Sequence, residues 1–223
     1  MDLNQTIEKV TKETFEELAR IYKKNLWGSK TKSRLVFTNY SSGKYEKRLS
    51  EQELRFVFIE KLIPELEQQD LFYSIETPTQ GKYKFSEKGN KKLQPICDIK
   101  GQSASFDLVI LNRKEEKLAL IEFKAKNAHN HEHAKDFCKL MNPAEGENAL
   151  RYFIKIIESY DQRTIKNLKG KIDNYQFPIM GGDEKPIPIR IACYCLEKYN
   201  ESSLGEFIQF DPMQNQSVFY IKK

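Results

Sequence analysis

The sequence predicts an α/β domain of layered helices and strands, and three observations carry that expectation. Two apolar runs, FDLVIL at Phe106–Leu111 and LALIEFK at Leu118–Lys124, flank a charged turn, the signature of an antiparallel hairpin. Apolar residues at helical spacing precede and follow them. A later run, Pro188–Leu196, is apolar at odd and even positions alike, as a strand covered on both faces would be. A chain of 223 residues fits one domain. With 12% aromatic residues it carries too much apolar payload for wholesale disorder, and 10 Gly with 8 Pro exclude collagen-like and low-complexity classes.

In chain order, Ile7, Val10, Phe15, Leu18, Tyr22 and Leu26 predict a helix over Ile7–Leu26. Residues 25–49 are turn-rich and basic, with one strand expected at Arg34–Asn39. Ser50 followed by Glu53 reads as a capping box opening a helix whose stripe is Leu54, Val57, Phe58, Leu62 and Leu66. Leu71–Thr77 reads as a strand, and residues 79–100 as a long lysine-rich excursion. After the hairpin, Ala134, Phe137, Cys138 and Met141 mark a short helix that Asn142-Pro143 ends. Phe153, Ile156, Ile157 and Tyr160 predict a second amphipathic helix over Ala149–Tyr160. Phe207–Phe210 and Val218–Ile221 read as short closing strands. The organisation expected is a helix and basic arm (1–49), a core (50–196) and a small tail (197–223) within a single domain.

No apolar run approaches the roughly 18–20 residues of a membrane span. The opening MDLNQTIEKVTKE lacks the basic cap and apolar stretch of a secretory signal, so the expected compartment is cytoplasmic. Cysteines 97, 138, 193 and 195 are then expected as free thiols. The net charge of +5 is modest, but its distribution is uneven. Lys23–Arg48 holds eight basic residues against Glu46, interleaved with Trp27, Phe37, Tyr40 and Tyr45; Lys82–Lys100 holds six lysines against Glu87 and Asp98. Such stretches suit a polyanion, because ammonium groups displace phosphate counterions and rings stack on bases. They also suit a plain solvated surface.

One constellation carries chemistry. Asp107 lies near the start of an apolar strand, and Glu122 near the end of the next. If the strands pair, the two acids fall together at one end of the sheet. Carboxylates held together repel. A divalent cation resolves the conflict, and Mg²⁺ prefers oxygen ligands. Lys124, two residues beyond Glu122, shares its strand face, where an ammonium group can orient or deprotonate a water or offset phosphate charge. The alternative is a pair of strand-end charges with Lys124 as partner. Carboxylates within runs this apolar are costly without a partner, which favours the metal site.

These residues, Asp107 in SFDLVI and Glu122-Phe123-Lys124 in LIEFKAK, resemble the PD-(D/E)xK, or restriction-endonuclease-like, nuclease superfamily. The family's Pro-Asp is Phe106-Asp107 here. The resemblance implies a mixed β-sheet flanked by helices, with the core order helix, three antiparallel strands, helix, strand. It implies a nuclease using Mg²⁺, or Mn²⁺, held by Asp107, Glu122 and the Phe123 carbonyl. Many members add a helix Glu; Glu51 shares a face with Leu54, Phe58 and Leu62 and is preferred to Glu53, whose capping role explains it. The implied partner is nucleic acid, DNA in the first instance, and many such nucleases dimerise to cut both strands. Lys126 reads as a phosphate contact or a surface lysine; Lys30, Lys32 and Arg34 in the basic arm are the further nucleic-acid candidates. His129 and His133 have helical zinc spacing, but no third ligand is evident. The other class of reading is a module on the same fold that binds nucleic acid or protein without cleaving.

Overall fold

The computed structural model describes residues 2–23, 33–35, 38–41, 44–47, 50–85, 95–126, 128–157, 161–173, 175, 185–196, 207–211 and 213. Helix α1 spans Leu3–Lys23 and is followed by a two-stranded hairpin, β1 (Thr38–Ser41) and β2 (Lys44–Lys47). Helix α2 (Glu51–Gln69) leads into β3 (Phe72–Lys84), the two-residue β4 (Ile96–Cys97), β5 (Gln102–Leu111) and β6 (Lys117–Ala125). Helix α3 (Asn130–Met141), β7 (Leu150–Ile157), α4 (Gln162–Asp173), β8 (Ile189–Cys195) and β9 (Ile208–Phe210) complete the described elements.

The main sheet runs β4-β3-β5-β6-β7-β8-β9. β3, β5 and β6 form an antiparallel meander, β7 and β8 add in parallel to β6, and β9 returns antiparallel. The fold is therefore α/β with a mixed seven-stranded sheet. Helices α1 and α2 cover one face, where Ile7, Val10, Phe15, Leu54 and Phe58 pack on Leu108, Ile121, Phe123 and Ile154. Helices α3 and α4 cover the other, where Phe137, Leu140, Ile165 and Leu168 pack on Val109, Leu120, Phe153 and Cys193. Burial from both sides makes the central strands continuously apolar. No helix among the described residues is long and apolar enough to cross a membrane.

Four expectations need correction. Ala149–Tyr160 is not a helix: residues 150–157 form β7, and every residue from Arg151 to Ile157 is buried. A parallel strand covered on both faces loses its alternation, and in RYFIKII the apolar positions fell by coincidence at helical spacing. The helix lies further on, at α4, where Ile165, Leu168 and Ile172 are its buried stripe. The excursion at 79–100 begins later than expected, because β3 continues to Lys84. The capping box at Ser50 does not form: its hydroxyl meets the Glu53 carboxylate side chain to side chain and makes no cap bond to the backbone. Of the strand expected at Arg34–Asn39, Arg34 and Leu35 are not extended into a strand and Thr38–Asn39 belong to β1; residues 36 and 37, like Val218–Ile221, lie outside the described residues.

Candidate active site

The last rung that joins β5 to β6 toward the site is Leu108–Ile121. Asp107 and Glu122 stand one step beyond it. There the Asp107 carboxylate, rather than a backbone carbonyl, accepts the Phe123 amide at 2.8 Å. β3 is irregular at the same level: Glu76, between the rungs Ile75–Leu108 and Thr77–Phe106, has φ of 49°. The sheet thus opens where the sequence concentrates acids. The N–H and C=O of one strand residue point the same way, so the Phe123 carbonyl also faces the opening.

Alternation places Glu122 and Lys124 on the face covered by α3. Glu122 is buried and accepts the ammonium of Lys139, which also donates to the Ser105 carbonyl at 2.8 Å. Lys124 Nζ lies 3.0 Å from Asp136 Oδ2 and 3.3 Å from Glu51 Oε2. Lys139 Nζ lies 3.4 Å from the other Asp136 oxygen. One turn after Glu51, Arg55 pairs with Glu76 and stands 3.5 Å from Asp107 Oδ1. Ser105 donates to the second Glu76 oxygen at 3.0 Å.

Ion pairs thus join five carboxylates (Glu51, Glu76, Asp107, Glu122, Asp136) to three cations (Arg55, Lys124, Lys139). Two negative charges are in surplus within this set. The surplus shows in the titration of its members. Burial, with repulsion from neighbouring carboxylates, raises Glu51, Asp107 and, most strongly, Glu122 above the usual carboxylate range. The lysines show the converse. Burial works to lower Lys124 and Lys139, but the surrounding acids outweigh it and hold both higher than an ordinary lysine.

Of the residues singled out in the sequence, Glu51, Asp107, Glu122, Phe123 and Lys124 come together here. Lys126 is exposed at the exit of β6, with φ of 56°, and its carbonyl accepts the buried Lys155 ammonium at 2.9 Å. Arg34 is exposed beside α1, where the neighbouring Ser33 amide is bound by Glu17 at 2.9 Å. Lys30 and Lys32 lie outside the described residues. His133 is a core histidine. Its Nδ1 faces the His129 carbonyl at 3.0 Å and its ring packs against Phe137 and Phe153.

Asp136, Lys139, Arg55 and Glu76 were missed. Two had a signal. Arg55 follows Glu51 by four residues, on the same side of α2. Asp136 and Lys139 are charges three apart within a helix that is otherwise buried at 133, 137, 138, 140 and 141. Glu76 had none, because only the irregular pairing of β3 brings it there.

The oxygens of Asp107, Glu122 and the Phe123 carbonyl are hard donors, the type a small divalent cation takes. No protein-family profile, no curated protein and no solved structure matches this chain.

Proposed function

We propose that this protein is a Mg²⁺-dependent nuclease that hydrolyses phosphodiester bonds in nucleic acid, DNA in the first instance, on a restriction-endonuclease-like core. One observation carries the proposal: Asp107, Glu122 and Lys124 converge where the β5–β6 ladder opens, inside an ion-paired cluster with surplus negative charge. The order α2, β3, β5, β6, α3, β7 supports it, since this is the helix, three antiparallel strands, helix and strand expected of that core.

Asp107, Glu122 and the Phe123 carbonyl would hold the metal, and Glu51 would take a second metal or a water. The metal would supply Lewis-acid stabilisation of a phosphate oxygen and an acidified water. Lys124, held protonated by Asp136 and Glu51, acts as a fixed cation that orients water and offsets phosphate charge, and not as a proton acceptor. Arg55 and Asp136 position these groups. Lys126, Arg34, Lys30 and Lys32 are the cations assigned to the polyanion.

A non-cleaving binding module is the second reading, and the ion pair of Lys139 with Glu122 favours it, because an ammonium already serves that carboxylate. The deciding experiment incubates plasmid, linear duplex, single-stranded DNA and RNA with Mg²⁺, Mn²⁺ or chelator, comparing wild type with Glu122→Ala. Metal-dependent cleavage lost in the variant is the expected result. Binding that survives both chelator and substitution, with no cleavage, would replace nuclease by module.

A further inference from the structure

We infer that Cys97 and Cys138 are a modification site, a dithiol that a peroxide-class oxidant converts to a disulfide linking β4 to α3. The two sulfurs lie 4.0 Å apart. A disulfide needs about 2.05 Å, so the sulfurs must approach by about 2 Å. The fold permits that approach on one side. Among the described residues β4 is the outermost strand of the sheet, two residues long, paired to β3 at Tyr83–Cys97 and Lys84–Ile96 with one further bond from the Asp98 amide to the Lys82 carbonyl. The other cysteines are placed differently: Cys193 and Cys195 are buried on β8 among apolar side chains of the α3–α4 face.

Exposure assigns the order of events. Cys97 is half-buried, whereas Cys138 is buried, so a small oxidant meets Cys97 first. The hydrogen bond with the adjoining Cys97 sulfur, and then burial, hold the Cys138 thiol protonated well beyond its ordinary range, so it serves as the second partner. In the first step the Cys97 sulfur attacks one peroxide oxygen. The O–O bond breaks, an S–O bond forms, and the other oxygen leaves as water with the thiol proton. In the second step the Cys138 sulfur attacks the Cys97 sulfur. An S–S bond forms, the S–O bond breaks, and a second water leaves with the Cys138 proton. Two electrons pass from the two thiols to the peroxide.

The consequence is local. Cys138 lies between Asp136 and Lys139, which hold Lys124 and Glu122. The cross-link would tether to the sheet edge the helix that supplies both.

The test uses the full chain with hydrogen peroxide, without metal or nucleic acid, so its outcome is independent of nuclease activity. Remaining thiols are alkylated under denaturing conditions and counted by mass, and the unreduced digest is mapped. Titratable thiols should fall from four to two, with one linked peptide pair joining 97 to 138 that dithiothreitol reverses. Hydrogen exchange over residues 130–141 should slow in the oxidised form. Cys97→Ser under the same treatment should keep three thiols. Retention of all four thiols in the wild type, a link between any other two cysteines, or sulfinic acid at Cys97 with Cys138 still free would overturn the inference.

Discussion

Glu145 and Glu122 are both buried carboxylates that face a lysine, yet their surroundings differ in kind. Glu145, at the turn after α3, is fully closed. Its Oε1 accepts the Gly81 amide at 2.8 Å and the Tyr83 hydroxyl at 2.6 Å; its Oε2 accepts the Gln80 amide at 2.9 Å and Lys117 at 3.2 Å. Nearby, Arg151 spends its donors on the carbonyls of Leu140, Asn142, Gly146 and Ala149. Gly81 fits this brace because a Cβ there would stand 2.6 Å from Asn142 Nδ2. Glu122 belongs instead to a set in which acids outnumber cations, and its carboxyl is pushed well up by burial and by its neighbours. A buried charge whose oxygens are met by two amides, a hydroxyl and one ammonium stabilises a fold, whereas one among like charges stores a demand for a cation.

The largest effect that sharpens this contrast is on stability. Glu145→Ala strands two amides, a tyrosine hydroxyl and a lysine, and should cost about 3–5 kcal/mol in urea unfolding. Glu122→Gln relieves repulsion and leaves Lys139 with Asp136 and the Ser105 carbonyl, so its change should stay within about 1 kcal/mol. Equal losses from the two would break the distinction. Next, Lys124→Met should lower cleavage by about 100- to 1000-fold, the scale of one removed electrostatic donor, while the urea midpoint moves little. An unchanged rate would remove Lys124 from the site.

A third effect is read against pH. Burial among aromatic rings lowers His133 to about 4, so between that value and its ordinary pKa the unfolded chain binds more protons than the folded one. The His133 contribution is therefore whole above pH 6.5 and is lost as pH falls toward 4, on the order of 3 kcal/mol. The raised carboxyls of Glu51, Asp107 and Glu122 act oppositely, because the folded state binds more protons there and acid relieves their repulsion. His133→Asn, which keeps a donor for the His129 carbonyl, should remove this loss and so make the fall in stability between pH 6.5 and 4 shallower. An unaltered profile would contradict the assignment. Smallest is Lys126→Ala, which should lower the dependence of log binding constant on log salt by about one, leaving the metal requirement intact.

Much of this was legible in the sequence, for identifiable reasons. The β5–β6 hairpin could be read because the turn Asn112–Lys117 is charged and the runs beside it apolar. The face shared by Glu122 and Lys124 follows from strand alternation alone. The α1 and α2 stripes were legible because each helix is covered on one side only. β7 was not, because burial on both faces erases the alternation that identifies a strand, and Arg151 and Lys155 look like a polar helix face until their carbonyl partners are seen. The charges Asp136 and Lys139 stand out within a buried helix, but that they meet Lys124 and Glu122 depends on α3 crossing over β6, a long-range event that residue spacing does not encode. Where the β5–β6 ladder opens, and that Glu76 of β3 takes left-handed backbone at the same level, could not be foreseen either.

The surplus of negative charge at Asp107, Glu122 and Glu51 is tested most directly by calorimetric titration of the purified full chain with Mn²⁺, run in two buffers of different ionisation enthalpy. The expected result is saturable binding with proton release, because burial raises these carboxyls and a metal takes them in the ionised form, and loss of that binding in Glu122→Gln. Absence of binding in the wild type at millimolar Mn²⁺, or binding unchanged by Glu122→Gln, would show that Lys139, Lys124 and Arg55 already satisfy the cluster and that it is no metal site.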